Sequence, residues 1–237
     1  DAGLHREDGD SGPNMDLTMR SVRYFDGALA LREFEPRDDF TSELITAQVK
    51  LEDGSTRPLD QGERIRYLML AAGGGNETVA RLLGWTGALL AQHPDQRAML
   101  VKNPEMIPQA IEEILRYESP SPVQGRTVMK DIEIHGTKIK KGSIVLLLTN
   151  SANRDPEAFT DPDTFDITRE SKQHASFGFG AHFCVGASLA RNEGRIALDE
   201  VLKRYPEWDV QWNESERVHT SSVRGYLKLP VKVAAYS

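Results

Sequence analysis

The chain has 237 residues and a formal net charge of −7, with 39% hydrophobic and 27% charged residues. That balance is ordinary for a globular protein, and the acidity argues against nucleic acid or an anionic membrane surface as the main partner. Its one cysteine, Cys184, excludes an internal disulfide framework and suits a reducing, cytoplasmic compartment. The longest aliphatic run, Ile144 to Leu148, falls far short of the roughly 20 apolar residues that span a bilayer.

Residues 1–14 are rich in Gly, Asp and Ser and read as loop; with no basic or apolar region they do not resemble a signal peptide. Helical spacing of Val22, Phe25 and Leu29 predicts a helix over 15–31, and Leu44, Ile45 and Val49 predict another over 40–51, before a turn at EDGST. A long helix is expected over 61–92, opened by Asp60 and Glu63 as a capping box. Its apolar residues lie on more than one side, which suits a helix running through a core.

The centre of that helix holds Gly73, Gly74 and Gly75. Each costs about 1 kcal/mol relative to Ala, so the run predicts a need for space or a local distortion. Glu77 and Thr78 follow at once. An acid and an alcohol beside a bulge suit holding water and passing protons. The alternative is a simple kink, with Thr78 bonded one turn back.

A short helix over 94–101 is followed by one that Asn103 caps and Pro104 begins, with Ile107, Ala110, Ile111, Ile114 and Leu115 as its apolar face. Glu113 and Arg116 share a helix face at i, i+3, as a partly buried charge-assisted pair or a solvated surface pair. After Pro120 and Pro122 the pattern predicts short antiparallel strands over 131–134, 138–139 and 144–149, with a turn at His135-Gly136. Residues 153–169 read as a long proline-rich coil, 185–204 as a helix, and 216–235 as strands around Gly225.

Cys184 lies behind a Gly-rich loop at the head of that last helix. Backbone N–H groups there stabilise a thiolate. Gly178 and Gly180 would let the loop turn tightly against a flat ligand, and Gly186 would remove bulk beside a metal. A metal-ligating thiolate, with haem iron as the metal, is the favoured reading. The alternatives are an inert buried thiol and a zinc site from His174, His182 and Cys184, which lacks the usual paired spacing.

Together these motifs resemble the cytochrome P-450 family. FGFGAHFCVGASLAR, Phe177 to Arg191, fits the haem-loop pattern F-G-x-G-x-H-x-C-x-G-x-x-L-A-R, and Glu113 to Arg116 fits the E-x-x-R of the K helix. Gly74 to Thr78 resembles the A-G-x-E-T of the I helix, with Gly74 where alanine is usual. ANRDPEAF and DPDTFDITR are similar to the meander of soluble bacterial members, and RGYLKLPV to their C-terminal hairpin. The likeness runs from about Met15 to the end.

The resemblance implies a mainly α fold with small antiparallel β-sheets, 15–237 being the haem-binding C-terminal part from the loop before the G helix onward. It implies haem b held by the Cys184 thiolate, which Phe177 would shield, with His182 and Arg126 bonding the propionates. Glu113 and Arg116 would pair with a meander arginine, Arg169 rather than Arg154. Glu77 and Thr78 would pass protons to dioxygen at the iron. Substrate contacts would come from Ala71, Ala72, Gly75, Val123, Gln124, Ser222 and Val223.

The implied activity is monooxygenation of a small organic substrate by hydroxylation or epoxidation. O2 is the co-substrate, and NAD(P)H supplies electrons indirectly through a ferredoxin or flavodoxin-type donor. Arg191, Arg195, Lys203 and Arg204 would form a basic docking face for that donor or a solvated helix face. A haem-binding sensor without turnover and a peroxide-driven enzyme are the alternatives; the acid–alcohol pair argues against both. In the family a large N-terminal part precedes the I helix, so a separate N-terminal segment is an expected partner, and apolar faces and strand edges are expected to lie uncovered.

Overall fold

The computed structural model describes residues 15–170, 173–220 and 222–233. The expected loop over 1–14 lies outside them. Among the described residues helices predominate, and the strands are short and pair into two-stranded antiparallel sheets. The chain divides into two compact units, Asp1–Glu77 and Thr78–Ser237.

The first unit holds α1 (Met15–Phe34), α2 (Phe40–Thr46), β1 (Gln48–Lys50), β2 (Thr56–Pro58) and the start of α3 (Gln61–Gln92). Asp39 caps α2 by accepting from the Ser42 N–H at 2.9 Å. The second predicted helix therefore ends early. Ala47 is extended, and Gln48–Lys50 pairs with Thr56–Pro58 around a turn in which Gly54 takes φ +85°. The Asp60–Glu63 capping box is reciprocal. The Glu63 N–H donates to Asp60 Oδ1 at 2.7 Å, and the Asp60 N–H to Glu63 Oε2 at 2.9 Å. Leu29, Leu44, Leu59 and Leu68 form this unit's core.

α3 is α-helical throughout, so the glycine run causes no bulge or break. A Cβ at Gly73, Gly74 or Gly75 would meet nothing within 4 Å. Space, rather than distortion, is what these glycines leave.

The second unit is built on the later part of α3, α4 (Pro94–Lys102), α5 (Ile107–Tyr117) and, further along the chain, α7 (Ala187–Arg204). The predicted apolar face of α5 is fully buried, and Leu82, Trp85, Leu89, Leu90, Leu198 and Leu202 belong to the same core. Gly194 on α7 lets the helices close: a Cβ there would lie 3.2 Å from Leu82 and 3.3 Å from Ile111. Asn103 does not cap the following turn by its side chain; its Nδ2 donates back to the Met99 carbonyl at 3.1 Å, at the end of α4.

β3 (Val123–Thr127) pairs with β6 (Ile144–Leu148), and between them β4 (Ile132–Ile134) and β5 (Thr137–Ile139) form a hairpin. Its turn residues, His135 at φ +49° and Gly136 at φ +76°, are both left-handed, as a tight hairpin turn requires. On β6, Ile144, Leu146, Leu147 and Leu148 are exposed. A short helix, α6 (Thr149–Ala152), leads into a coil over 153–169 with no regular element among its residues. β7 (Trp208–Val210), β8 (Glu216–Arg217), β9 (Tyr226–Lys228) and β10 (Val231–Val233) follow α7, with β7 paired to β10 and β8 to β9.

Candidate functional site

Cys184 is exposed, which removes the buried inert thiol from consideration. Its loop is shaped by Gly178 at φ +69° and Gly180 at φ +64°, a region that side chains disfavour. The Cys184 N–H donates to the Phe177 carbonyl at 2.8 Å, closing the loop on itself. Gly186 precedes α7, and a Cβ there would stand 3.9 Å from the sulfur. Phe179, Phe183, Val185 and Leu189 are exposed around this thiol in the sequence. A soft sulfur donor set among exposed aromatic and aliphatic side chains fits a flat apolar macrocycle bearing iron. Among the described residues no group of three His, Cys, Asp or Glu side chains is placed to hold a metal, which leaves the zinc reading without a ligand set.

Behind the loop, α5 carries a buried ion cluster. Arg116 donates from Nε and Nη2 to the two oxygens of Glu113, at 2.7 and 2.8 Å. The rest of its guanidinium serves the coil: the carbonyls of Asn153 and Pro162 accept at 2.9 and 2.8 Å, and that of Thr164 at 3.1 Å. Arg169 Nε approaches Glu113 Oε2 at 3.3 Å, and Arg169 Nη2 donates to the Asp161 and Thr164 carbonyls at 3.0 Å each. Arg154 turns elsewhere, donating to Asp163 and to the Tyr117 carbonyl at 2.8 Å. The coil is ordered by cations that satisfy its carbonyls.

Asn153 joins this coil to the cysteine loop. Its Oδ1 accepts the Ala175 N–H at 2.7 Å and its Nδ2 donates to Ser176 Oγ at 2.8 Å; Ser176 Oγ donates in turn to the Leu115 carbonyl on α5 at 2.7 Å. The turn carrying Phe177 is thereby pinned to α5.

A second carboxylate, Glu112, was not anticipated. It accepts from Arg191 Nε and Nη2 at 2.7 and 2.8 Å and faces His174 Nε2 at 3.2 Å. Burial pushes its carboxyl up, but the bonds from Arg191 and His174 outweigh that and bring it down to about 2. The sequence signal was the double Glu of α5 and the arginine one turn inside α7.

The other predicted residues are spread over the chain. Glu77 is buried and Thr78 half-buried, at adjacent positions of α3. His182 is exposed, and half-buried Arg126 lies on β3 with Nη1 on its neighbour's carbonyl, Gly125, at 2.8 Å. Gln124 and Ser222 meet through Ser121, which accepts from Gln124 Nε2 at 2.6 Å and donates to the Ser222 carbonyl at 3.4 Å. Val123 is half-buried, Val223 buried, and Ala71, Ala72 and Gly75 are exposed on α3. The basic face of α7 is largely neutralised: Lys203 and Arg204 pair with Asp199 and Glu200, and Arg191 with Glu112.

A family model for cytochrome P-450 matches residues 16–232, and the chain belongs to this family. It is 40% identical to a cytochrome P-450 numbered 123 from Mycobacterium tuberculosis, over 99% of this chain and 58% of the relative. It is 39% identical to the 6-deoxyerythronolide B hydroxylase of Saccharopolyspora erythraea, over 85% of this chain and 50% of that protein. Among solved structures it is similar to P-450 BioI in complex with an acyl carrier protein bearing hexadec-9Z-enoic acid. That likeness has a TM-score of 0.85 at 37% identity, and covers 92% of this chain and 55% of the other. The chain spans about half the length of the curated relatives it matches. The family's cofactor is haem b, held by a cysteine thiolate, and the donor and surroundings of Cys184 fit that group.

Proposed function

We propose that the protein of which this chain forms part is a cytoplasmic haem-thiolate monooxygenase. It would place one oxygen atom of O2 in a small organic substrate, by hydroxylation or epoxidation, with electrons from a ferredoxin or flavodoxin-type donor. The observation that carries the reading is the exposed Cys184 thiol at the head of α7, on a loop tied to the Glu113–Arg116–Arg169 cluster through Asn153. The hydroxylase among its relatives supports the reaction class. Among the described residues no helix is long and apolar enough to cross a membrane, and the lone cysteine suits a reducing compartment.

The haem, when bound, supplies the redox chemistry on oxygen, and the thiolate's electron donation favours O–O cleavage. The chain's own residues do the rest. Cys184 would supply the sulfur ligand and Phe177 would shield it; the Phe177 carbonyl accepts the Cys184 N–H. His182 and Arg126 would hold the propionates. Thr78 and Glu77 would hold and pass protons, at the hydroxyl of the one and the carboxyl of the other. Ala71, Ala72 and Gly75 on α3 would contact substrate, and so would Val123, Gln124, Ser222 and Val223.

A carbon monoxide difference spectrum of the reduced, haem-loaded protein tests the ligand. A band at the thiolate position is expected, and it disappears in Cys184→Ala. A variant that keeps the band sinks the assignment. Turnover is tested by adding ferredoxin, its reductase and NAD(P)H. A spin shift with a bound ligand and an oxygenated product are expected; oxygenation driven by peroxide alone would overturn the electron-donor reading.

A further inference from the structure

Glu112 is the centre of a network that none of the roles above uses. Its carboxylate joins three elements. Arg191 comes from α7, His174 precedes the cysteine loop, and Glu112 itself stands on α5. His174 Nδ1 accepts the Ser176 N–H at 3.3 Å, so in the neutral ring Nε2 carries the proton and donates it to Glu112. The Arg191 guanidinium, held by its fork on Glu112, lies 4.5 Å over the Phe177 ring. Phe177 is also the residue whose carbonyl takes the Cys184 N–H at 2.8 Å. A cation is thus fixed on the ring whose backbone fastens the thiol.

The coupling reaches the sulfur electrostatically. The bond from Glu112 leads in raising the Arg191 pKa, against burial, and the charge on Cys184 adds to it. A positive charge that favours thiolate draws electron density toward itself and makes the sulfur a weaker donor. Haem potentials are tuned by axial-ligand donation and by the hydrogen bonds and charge around it. Lysine would supply the charge but not the fork or the stacking plane.

We propose that Arg191, fixed by Glu112 and His174, is a positioning residue that sets the charge around the Cys184 thiolate and so tunes the reduction potential of the haem it ligates. Glu112 has two parts in this: it holds the cation in place and opposes its charge with a negative one. The proposal rests on the haem-thiolate reading above.

The test is a spectroelectrochemical titration of the haem-loaded full protein, with a carbon monoxide spectrum on each variant. Arg191→Met, which removes the charge at similar volume, is expected to lower the potential. Glu112→Gln, which removes the opposing charge and keeps an acceptor, is expected to raise it. Arg191→Lys is expected to fall between Met and the parent. Unchanged potentials in both Met and Gln variants, with the thiolate band intact, overturn the proposal, and so do shifts of the same sign. Loss of the thiolate band in both variants makes the pair merely structural and overturns it too. A parent protein without that band overturns the haem-thiolate reading itself, before any variant is compared.

Discussion

Arg116 lays its guanidinium edge along the Glu113 carboxylate with both side chains only 3% exposed. Taking two charges out of water is costly, and the attraction between them repays it only if the remaining donors and acceptors are satisfied. Here they are. Three coil carbonyls take the other Arg116 protons, while the Asp166 N–H donates to Glu113 Oε1 at 3.0 Å. The pair is therefore an organiser of the coil, and the coil in turn carries Asn153, which pins the cysteine loop.

Arg116→Lys tests that account. Lysine keeps the charge but cannot span the carboxylate and three carbonyls at once. The expected loss is about 1–3 kcal/mol, the cost of leaving a buried acceptor without its donor, read as a lower urea midpoint with weaker haem retention. A lysine variant as stable as the parent would mean that charge alone, and not the fork, holds the coil.

Two glycines should respond in opposite directions to alanine. At Gly225 a Cβ would sit 2.8 Å from Arg81 Cδ and 2.9 Å from its Cβ, and the latter cannot rotate away. Gly225→Ala is expected to cost about 1–3 kcal/mol, as overpacking does. Gly73→Ala meets open space, and it should gain about 1 kcal/mol of helix propensity. Chemical denaturation of both variants checks the pair of signs; a stabilising Gly225→Ala would show that Arg81 and the hairpin yield freely.

Most of the helical frame was legible because it is written locally. The α5 face from Ile107 to Leu115 repeats at three and four, and all of it is buried. The capping box at Asp60 and Glu63 marks the start of α3. The cysteine loop was legible through Gly178 and Gly180, whose positive φ values are what those glycines supply. β1, β3 and β7 were not. Each is short, and β3 is mostly polar, with Gln124, Gly125 and Arg126 at its centre; it exists because β6 pairs with it along five positions. The Glu112–Arg191–His174 network joins residues 62 and 79 positions apart, and no local period encodes such a meeting. On α7 the pairing of Lys203 with Asp199 and of Arg204 with Glu200 is local, one turn apart, and it favours the solvated-face alternative for those two cations.

Glu118 sets a pH dependence. It follows α5, and its Oε2 is buried with no hydrogen-bond partner among the described residues, while Oε1 accepts from Arg224 Nη2 at 3.3 Å. Burial pushes its pKa up, and Arg224, Arg154 and Arg217 only partly oppose this. The folded protein thus holds the proton more tightly than the unfolded chain does. By linkage, ionisation above the ordinary carboxylate range costs stability, and the penalty is absent at acid pH. Glu118→Gln should therefore gain on the parent as pH rises from about 4 to about 7. Thermal unfolding across that range decides it; an advantage that shrinks with rising pH would contradict the sign.

The proton-handling role proposed for Glu77 and Thr78 has a signature distinct from folding. Both stand in regular helix. Thr78→Ala and Glu77→Gln should leave the carbon monoxide band and ligand-induced spin shift in place, because Cys184 and its loop are unchanged. Product formed per NAD(P)H consumed should fall, by up to about 100-fold if a positioned proton donor contributes at the low end of its usual range. Thr78→Ser restores the hydroxyl and should recover most of the coupling. An alanine variant as well coupled as the parent would move the proton route away from α3, and the open space beside Gly73 to Gly75 would then be left as a packing feature alone.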